Sequence, residues 1–324
     1  MPYINILRLV ATIMIILIHT CSVGESNIPA DEEYAYGLLK HIGVFAVPLF
    51  AMISGCFFLD PKRNVTIQTI LNKYCKRILL VLLCFALPMC LSEAFITKES
   101  LWVGLYNFVR GHSWIHMWYM YMLICLYLLT PLIRTFIVNS SKREIEYTLA
   151  VLFVLTIIVP SLQTYGIQLQ NYLTLGTPFI FYYILGYYLA HIETLRLSRT
   201  HCGIMVVGYI LIIATLETGG FAFSQKILQY HDITRAFGAA SIFLLFKRMD
   251  LNWSIANNLR VYCFAIYLVH TVFTNLSYKF LHIMPSNVAS PWISLPLFTA
   301  IIFLASLVMA YLLRQIRFLR EHVV

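Results

Sequence analysis

Charge is scarce in this 324-residue chain. Asp, Glu, Lys and Arg make up 11% of it, where soluble globular domains carry about a quarter. A water-soluble fold of this composition would have to expose apolar patches large enough to aggregate. No two of the eight cysteines have CxxC spacing, and most of them sit within apolar runs. They read as small hydrophobes, not as a disulfide framework or a metal site, and no metal is expected. Alternating ten-residue stretches are also missing, which sets aside a membrane β-barrel. Internal repeats, linkers and low-complexity tracts are absent, so a single domain over 1–324 is expected.

What is abundant is apolar sequence. Hydrophobic residues make up 60% of the chain and the mean hydropathy is +0.79. The apolar runs are about twenty residues long, the length a helix needs to cross a bilayer. Inside lipid every backbone group must be satisfied within the chain, which leaves helices as the solution. Ten spans are predicted, at 4–23, 37–59, 75–96, 116–138, 146–164, 172–192, 201–217, 232–247, 260–282 and 292–313. The fold class is therefore all-α, a polytopic membrane helix bundle. The first run lacks a small-residue cleavage site and is read as a retained helix. The eighth is short and carries Arg235, which suggests a broken or partly buried segment. Residues Trp102 to Val109 suggest an interfacial helix.

The net charge of +9 would suit nucleic acid if the basic residues shared one face. Instead they recur at the ends of apolar runs, and nucleic-acid binding is not expected. Arg8, Lys62, Arg63, Lys73, Lys76, Arg77, Arg134, Lys142, Arg143, Arg196, Arg199, Lys247, Arg248, Arg260, Arg314, Arg317 and Arg320 fall on one side of the predicted topology. The other side has Lys40, Lys98, Arg110, Lys226, Arg235 and Lys279, and an acidic first loop with Glu25, Asp31, Glu32 and Glu33. The positive-inside rule then places both termini in the cytoplasm.

Ionisable groups within spans are costly in lipid and are functional candidates by default. Arg8 and His19 lie eleven residues apart in the first span. Eleven steps of 100° close about three turns, so the two share a face, separated by roughly 16–17 Å along the axis. A snorkelling arginine and a histidine bonded to a neighbouring helix would fit equally well. His270 stands three residues after Tyr267 on the ninth span, as a site group or as a packing histidine. Pro48 in the second span predicts a kink, and Ser54-Gly55 permits close approach of another helix. His116, Trp118 and Tyr119 open the fourth span, where an aromatic belt or a sugar site would both fit. Tyr182, Tyr183, Tyr187 and Tyr188 surround Gly186 in the sixth.

Taken together, these segments resemble the integral-membrane acyltransferase-3 family, which includes surface-polysaccharide O-acetyltransferases. The resemblance covers nearly the whole chain. Its most specific element is an arginine, ten residues and a histidine in the first helix, met here by Arg8 and His19. Val47 to Gly55, Lys73 to Arg77, His116 to Tyr119, Leu128 to Arg134, Tyr183 to Tyr188 and Cys263 to His270 match in order. Asn5 stands where the family often has aspartate. The resemblance implies a multi-pass protein of the bacterial cell (inner) membrane, amid membrane lipid. It implies transfer of an acyl group, acetyl foremost, from cytoplasmic acyl-coenzyme A to a hydroxyl of a glycan or lipid-linked saccharide. His19 is then the catalytic residue, as general base or transient acyl carrier. Arg8, Lys73 and Arg77 face the anionic donor, and His116, Trp118, Tyr119, Tyr267 and His270 face the acceptor. The alternative is a transporter without acyl-transfer chemistry, whose permeation path would use the same kinks and polar groups.

Overall fold

The computed structural model describes all residues except 24–27, 114–115, 165, 168–174, 176, 194–196, 220–223, 225–228, 230, 250 and 324. Glu25, Arg196 and Lys226, and part of the sixth predicted span, lie outside the described residues. The described chain is helical throughout, without strands. Its helices are α1 (Pro2–Val23), α2 (Glu33–Gly43), α3 (Ala46–Phe58) and α4 (Ile67–Ile96). They continue as α5 (Leu101–Val109), α6 (Trp118–Asn139), α7 (Lys142–Thr164), α8 (Phe179–Ile192), α9 (Arg199–Glu217) and α10 (Ile233–Met249). The last are α11 (Ser254–Leu259), α12 (263–280), α13 (Pro291–Leu313) and α14 (Arg317–His322).

Among the described residues seven helices are long and apolar enough to cross a membrane, with α2 and α3 counted as one. The shorter α8 is apolar as well, and α10 and α12 overlie the remaining two predicted spans. The protein is a multi-pass membrane protein built as a helical bundle.

The chain divides into two compact units. Met1–Asp60 and Ser140–Val308 form the first, and Pro61–Asn139 with Met309–Val324 the second. In the first unit, α3 crosses α8 with almost no separation. A Cβ on Gly55 would come within 1.8 Å of the Tyr183 carbonyl oxygen, and one on Gly186 within 2.1 Å of that of Met52. The Cys56 thiol donates to the Gly186 carbonyl at 3.1 Å across the same crossing. The close approach expected at Ser54-Gly55 is thus met by a second glycine.

Just before Pro48, where a kink is expected, the helix is locally interrupted. The second span is interrupted at Val44 and Phe45, between α2 and α3. The eighth span, by contrast, runs unbroken from Ile233 to Met249, with Arg235 fully buried. At the end of α10, Lys247 and Arg248 bind the buried Glu193 carboxylate at 3.0 and 2.8 Å.

In the second unit, α4 contains two π-helical turns, Ile70–Cys75 and Leu82–Ala86. Residues 102–109, expected to form an interfacial helix, are helical as part of α5. Gly104 lies against the backbone of Cys90, so α5 folds back along the last turns of α4. Tyr121, one turn into α6, donates to the Phe108 carbonyl at 2.7 Å and holds the end of that hairpin.

Candidate active site

Three helices of the first unit assemble the polar groups that the sequence singled out. Helix α1 is an unbroken run of 22 residues, so Arg8 and His19 keep their shared face. Near its start, the Asn5 amide donates to Asn257 at 2.8 Å, and Asn257 donates to Asn252 at 2.7 Å. A carboxylate at position 5 would lack that first proton, whereas an asparagine supplies it. The half-buried Arg8 guanidinium lies 5.8 Å from the ring centroid of Phe57 on α3. That cation–π contact steadies a permanent charge in apolar surroundings.

Three turns further along, His19 meets His270 of α12. Their ring centroids are 5.2 Å apart at an interplanar angle of 42°. His270 is fully buried, and its Nδ1 bonds the Tyr267 carbonyl at 2.7 Å. A carbonyl can only accept, so Nδ1 carries the proton, and in the neutral ring Nε2 presents its lone pair. The backbone thus sets the tautomer, as it does for many histidines that handle protons. Tyr267 meets His270 at a tilt, with ring centroids 5.8 Å apart, and meets Phe50 of α3 edge to face at 6.3 Å. The hydroxyl of Tyr278 donates to the carbonyl of Thr20 at 2.7 Å, fixing α12 to α1 one residue beyond His19. Arg8, His19, Tyr267 and His270 therefore line one set of packed helices, α1, α3 and α12.

The other predicted site residues belong to the second unit. Lys73 lies within the first π turn of α4, with its ammonium 5.5 Å from the Tyr74 ring. Tyr74 contacts Tyr127 of α6 at 6.0 Å. Arg77 donates from Nε to the Val323 carbonyl at 3.1 Å. His116 and Tyr119 are buried, and half-buried Trp118 meets Tyr119 edge to face at 5.9 Å. Arg134, at the other end of α6, binds the carbonyls of Pro61 and Arg63. Of the tyrosines flanking Gly186, Tyr182 and Tyr183 are fully buried, and Tyr188 donates to Glu146 at 2.6 Å.

This arrangement brings two imidazoles into ring contact, with an arginine on the same helix as His19. Compared with known families, residues 1–314 match an acyltransferase domain, that of acyltransferase-3. The chain belongs to the acyltransferase-3 family. No curated protein and no solved structure matches it. The protein is thus a membrane-embedded acyltransferase that uses an acyl donor and an acceptor. Within the described residues of this acyltransferase, no group of three or more His, Cys, Asp or Glu side chains could hold a metal ion.

One polar constellation of the acyltransferase escaped sequence reading. His41 of α2, Glu217 of α9, Arg235 of α10 and Asp232 before it are all buried. The signal was present: His41, Glu217 and Arg235 each fall inside a predicted span, where ionisable groups are costly. Only Arg235 drew notice, as an irregularity of the eighth span. Beside this cluster and outside the spans, burial holds the His231 imidazole below the usual histidine range, against the opposing pull of Asp232.

Proposed function

We propose that this acyltransferase moves an acetyl group from cytoplasmic acetyl-coenzyme A to a hydroxyl of a surface glycan or its lipid-linked precursor. The reading places it in the bacterial inner membrane with both termini cytoplasmic, and takes 1–324 as one acyltransferase domain. The observation that carries it is the pairing of His19 with His270, on a helix whose same face bears Arg8. A sugar hydroxyl is a poor nucleophile at neutral pH, and an imidazole takes its proton as the oxygen attacks the thioester carbonyl. The carbon–sulfur bond then breaks, and the same proton passes to the leaving thiolate. His19 is the base in this scheme. His270, assigned to the acceptor from sequence, becomes the partner that orients His19 and shares its proton. Arg8 binds a donor phosphate, with Lys73 and Arg77 drawing the anionic donor to the membrane surface. Within the first unit, Tyr267 binds the acceptor.

The test is His19→Ala, purified into lipid nanodiscs and assayed for release of free thiol from acetyl-coenzyme A with glycan acceptors. Loss of the base should lower turnover about 10²–10⁴-fold with the melting temperature little changed. Mass spectrometry of surface glycans from cells with and without the protein identifies the acceptor. A His19→Ala protein that keeps most of its activity would assign the imidazole to packing. A wild type that neither binds nor cleaves acyl-coenzyme A would favour transport instead.

A further inference from the structure

Inside the first unit a buried serine or threonine commonly returns its hydroxyl to the helix that carries it. Thr12, Thr156, Ser241 and Thr274 are buried, and each donates to the carbonyl four residues earlier, at 2.8, 2.7, 2.6 and 3.0 Å. Five hydroxyls depart from that habit. Thr20, Thr271, Ser294, Thr299 and Ser306 are buried and make no hydrogen bond to any described group. They belong to three helices, α1, α12 and α13. A local cause is visible at Thr271. The carbonyl four residues before it, that of Tyr267, already accepts from His270 Nδ1. Together with the helical N–H, that bond fills both lone pairs of the oxygen.

Contacts on either side of Thr299 fix the direction in which it points. Leu295, one turn before it, packs with Leu17 and Cys21 of α1. Phe303, one turn after it, packs against Ile6 and Leu9 of α1 and Cys263 of α12. Positions 295, 299 and 303 follow one another about 40° apart around a helix, so Thr299 lies between its neighbours and faces α1. Ser306, seven residues on, falls about 20° from Thr299 and shares that face. Ser294 stands one turn before Phe298, whose ring meets Tyr278 of α12 at 6.5 Å. Tyr278 in turn donates to the carbonyl of Thr20, and Thr271 lies between Cys263 and Tyr278 along α12. The five hydroxyls therefore gather along the junction of the three helices. Left unbonded, each would forfeit the hydrogen bonds that water offers, and five such losses weigh heavily on a marginally stable fold. Lipid chains cannot bond a hydroxyl. Water can: it accepts from the hydroxyl and donates to the free lone pair of a helix carbonyl, so it needs no second side chain.

We propose that the junction of α1, α12 and α13 binds internal water, held by the hydroxyls of Thr20, Thr271, Ser294, Thr299 and Ser306. Helix α13 is then joined to its two neighbours partly through bridging water. Most of this site is set apart from the two imidazoles. Leu17, which faces α13, stands about 160° around α1 from His19. Thr299 and Ser306 thus hold their water on the far side of the helix from that histidine. The separation matters for the function read above, because water beside a thioester competes with the acceptor hydroxyl. That consequence rests on the acyl-transfer reading; the water site itself does not.

The test uses the full chain in lipid nanodiscs and needs no activity. Thr299→Val keeps the shape of the side chain and removes its hydroxyl. A water that loses this partner should lower the melting temperature by about 2–4 °C. A hydroxyl bonded to nothing would give the opposite result, since valine relieves a buried polar group; an unchanged or raised melting temperature overturns the proposal. Radiolytic hydroxyl-radical footprinting reads the water directly, because the radicals form from water and react with what lies beside it. Cys21 and Phe298, both buried, should be oxidised in wild type and in Thr299→Ser, which keeps the hydroxyl. Met52, equally buried at the α3–α8 crossing, should not. In Thr299→Val the oxidation of Phe298 should drop severalfold. Oxidation of Cys21 and Phe298 no greater than that of Met52 would overturn the proposal, even with a lowered melting temperature, and so would equal oxidation of Phe298 in Thr299→Val and wild type. Should Thr299→Val fail to fold, the wild-type comparison with Met52 decides alone. A protein with the expected labelling and no acyl transfer would keep its water site and lose only the consequence for the thioester.

Discussion

Within the first unit the apolar helices are of two kinds. In α1 and in the α2–α3 span, 67% and 72% of the most apolar stretch is buried. In α7 and α9 the corresponding shares are 28% and 22%. Their mean hydropathies are close, 2.0 and 1.9 for the first pair against 2.1 and 1.7 for the second. Hydropathy therefore says that a helix lies in the membrane, but not whether it faces lipid or other helices. Polar residues make that distinction. Arg8, His19 and His41 all lie on the central helices. On α9 the one buried acid, Glu217, sits at the helix end and turns inward to His41. Lipid contributes little drive for helix association, so tight crossings and polar contacts hold the centre, while the periphery needs only to be apolar.

Substitutions test that contrast directly. The largest effect is expected at the α3–α8 crossing. Gly186→Ala would place a Cβ 2.1 Å from the Met52 carbonyl oxygen. The helices must part, at a cost of about 3 kcal/mol or more, seen as lost monodisperse protein in detergent. Gly203→Ala on α9 has nothing within 4 Å of the new methyl and should gain up to about 1 kcal/mol from helix propensity. If the two behave alike, the division into centre and periphery is wrong.

An intermediate effect is expected at Arg8. Arg8→Ala should weaken binding of a non-hydrolysable acyl-coenzyme A analogue roughly ten- to a hundredfold, as about 1.5–3 kcal/mol of charge-assisted contact is lost. Arg8→Lys should recover part of it, because an ammonium keeps the charge without the planar fork. Titration calorimetry separates these outcomes, and unchanged affinity in Arg8→Ala would move the donor elsewhere. The smallest effect belongs to the outward face of α9. Ile204, 65% exposed, should tolerate alanine with a stability change within about 0.5 kcal/mol, read as an unaltered melting temperature.

The parts legible in the sequence were those set by local periodicity. Each of the ten apolar runs overlies a helix among the described residues, and seven of these helices are long and apolar enough to cross a membrane, because run length sets whether a segment can cross. Arg8 and His19 were aligned by arithmetic, which held because α1 contains no interior glycine or proline to alter the phase. Pro48 announced the interruption, and Gly55 the close approach. Partners across helices were not legible. Gly186 completes a crossing with a residue about 130 positions earlier. Nothing near His41 names Glu217, 176 positions away. Arg235 looked like a defect in its own span because the break it serves lies in another, 194 positions away in sequence.

The 176 positions between His41 and Glu217 are also an interval of time. A chain grows at about 5–20 residues per second, so roughly 9–35 s pass between the synthesis of the imidazole and that of its acid. Throughout that interval the second span has been made, but Glu217 and Arg235 have not. The nascent bundle must therefore carry a polar, incomplete helix until its ninth and tenth helices arrive. A ribosome that stalls before Glu217 leaves in the membrane a chain that can never complete this cluster, a natural substrate for membrane quality control.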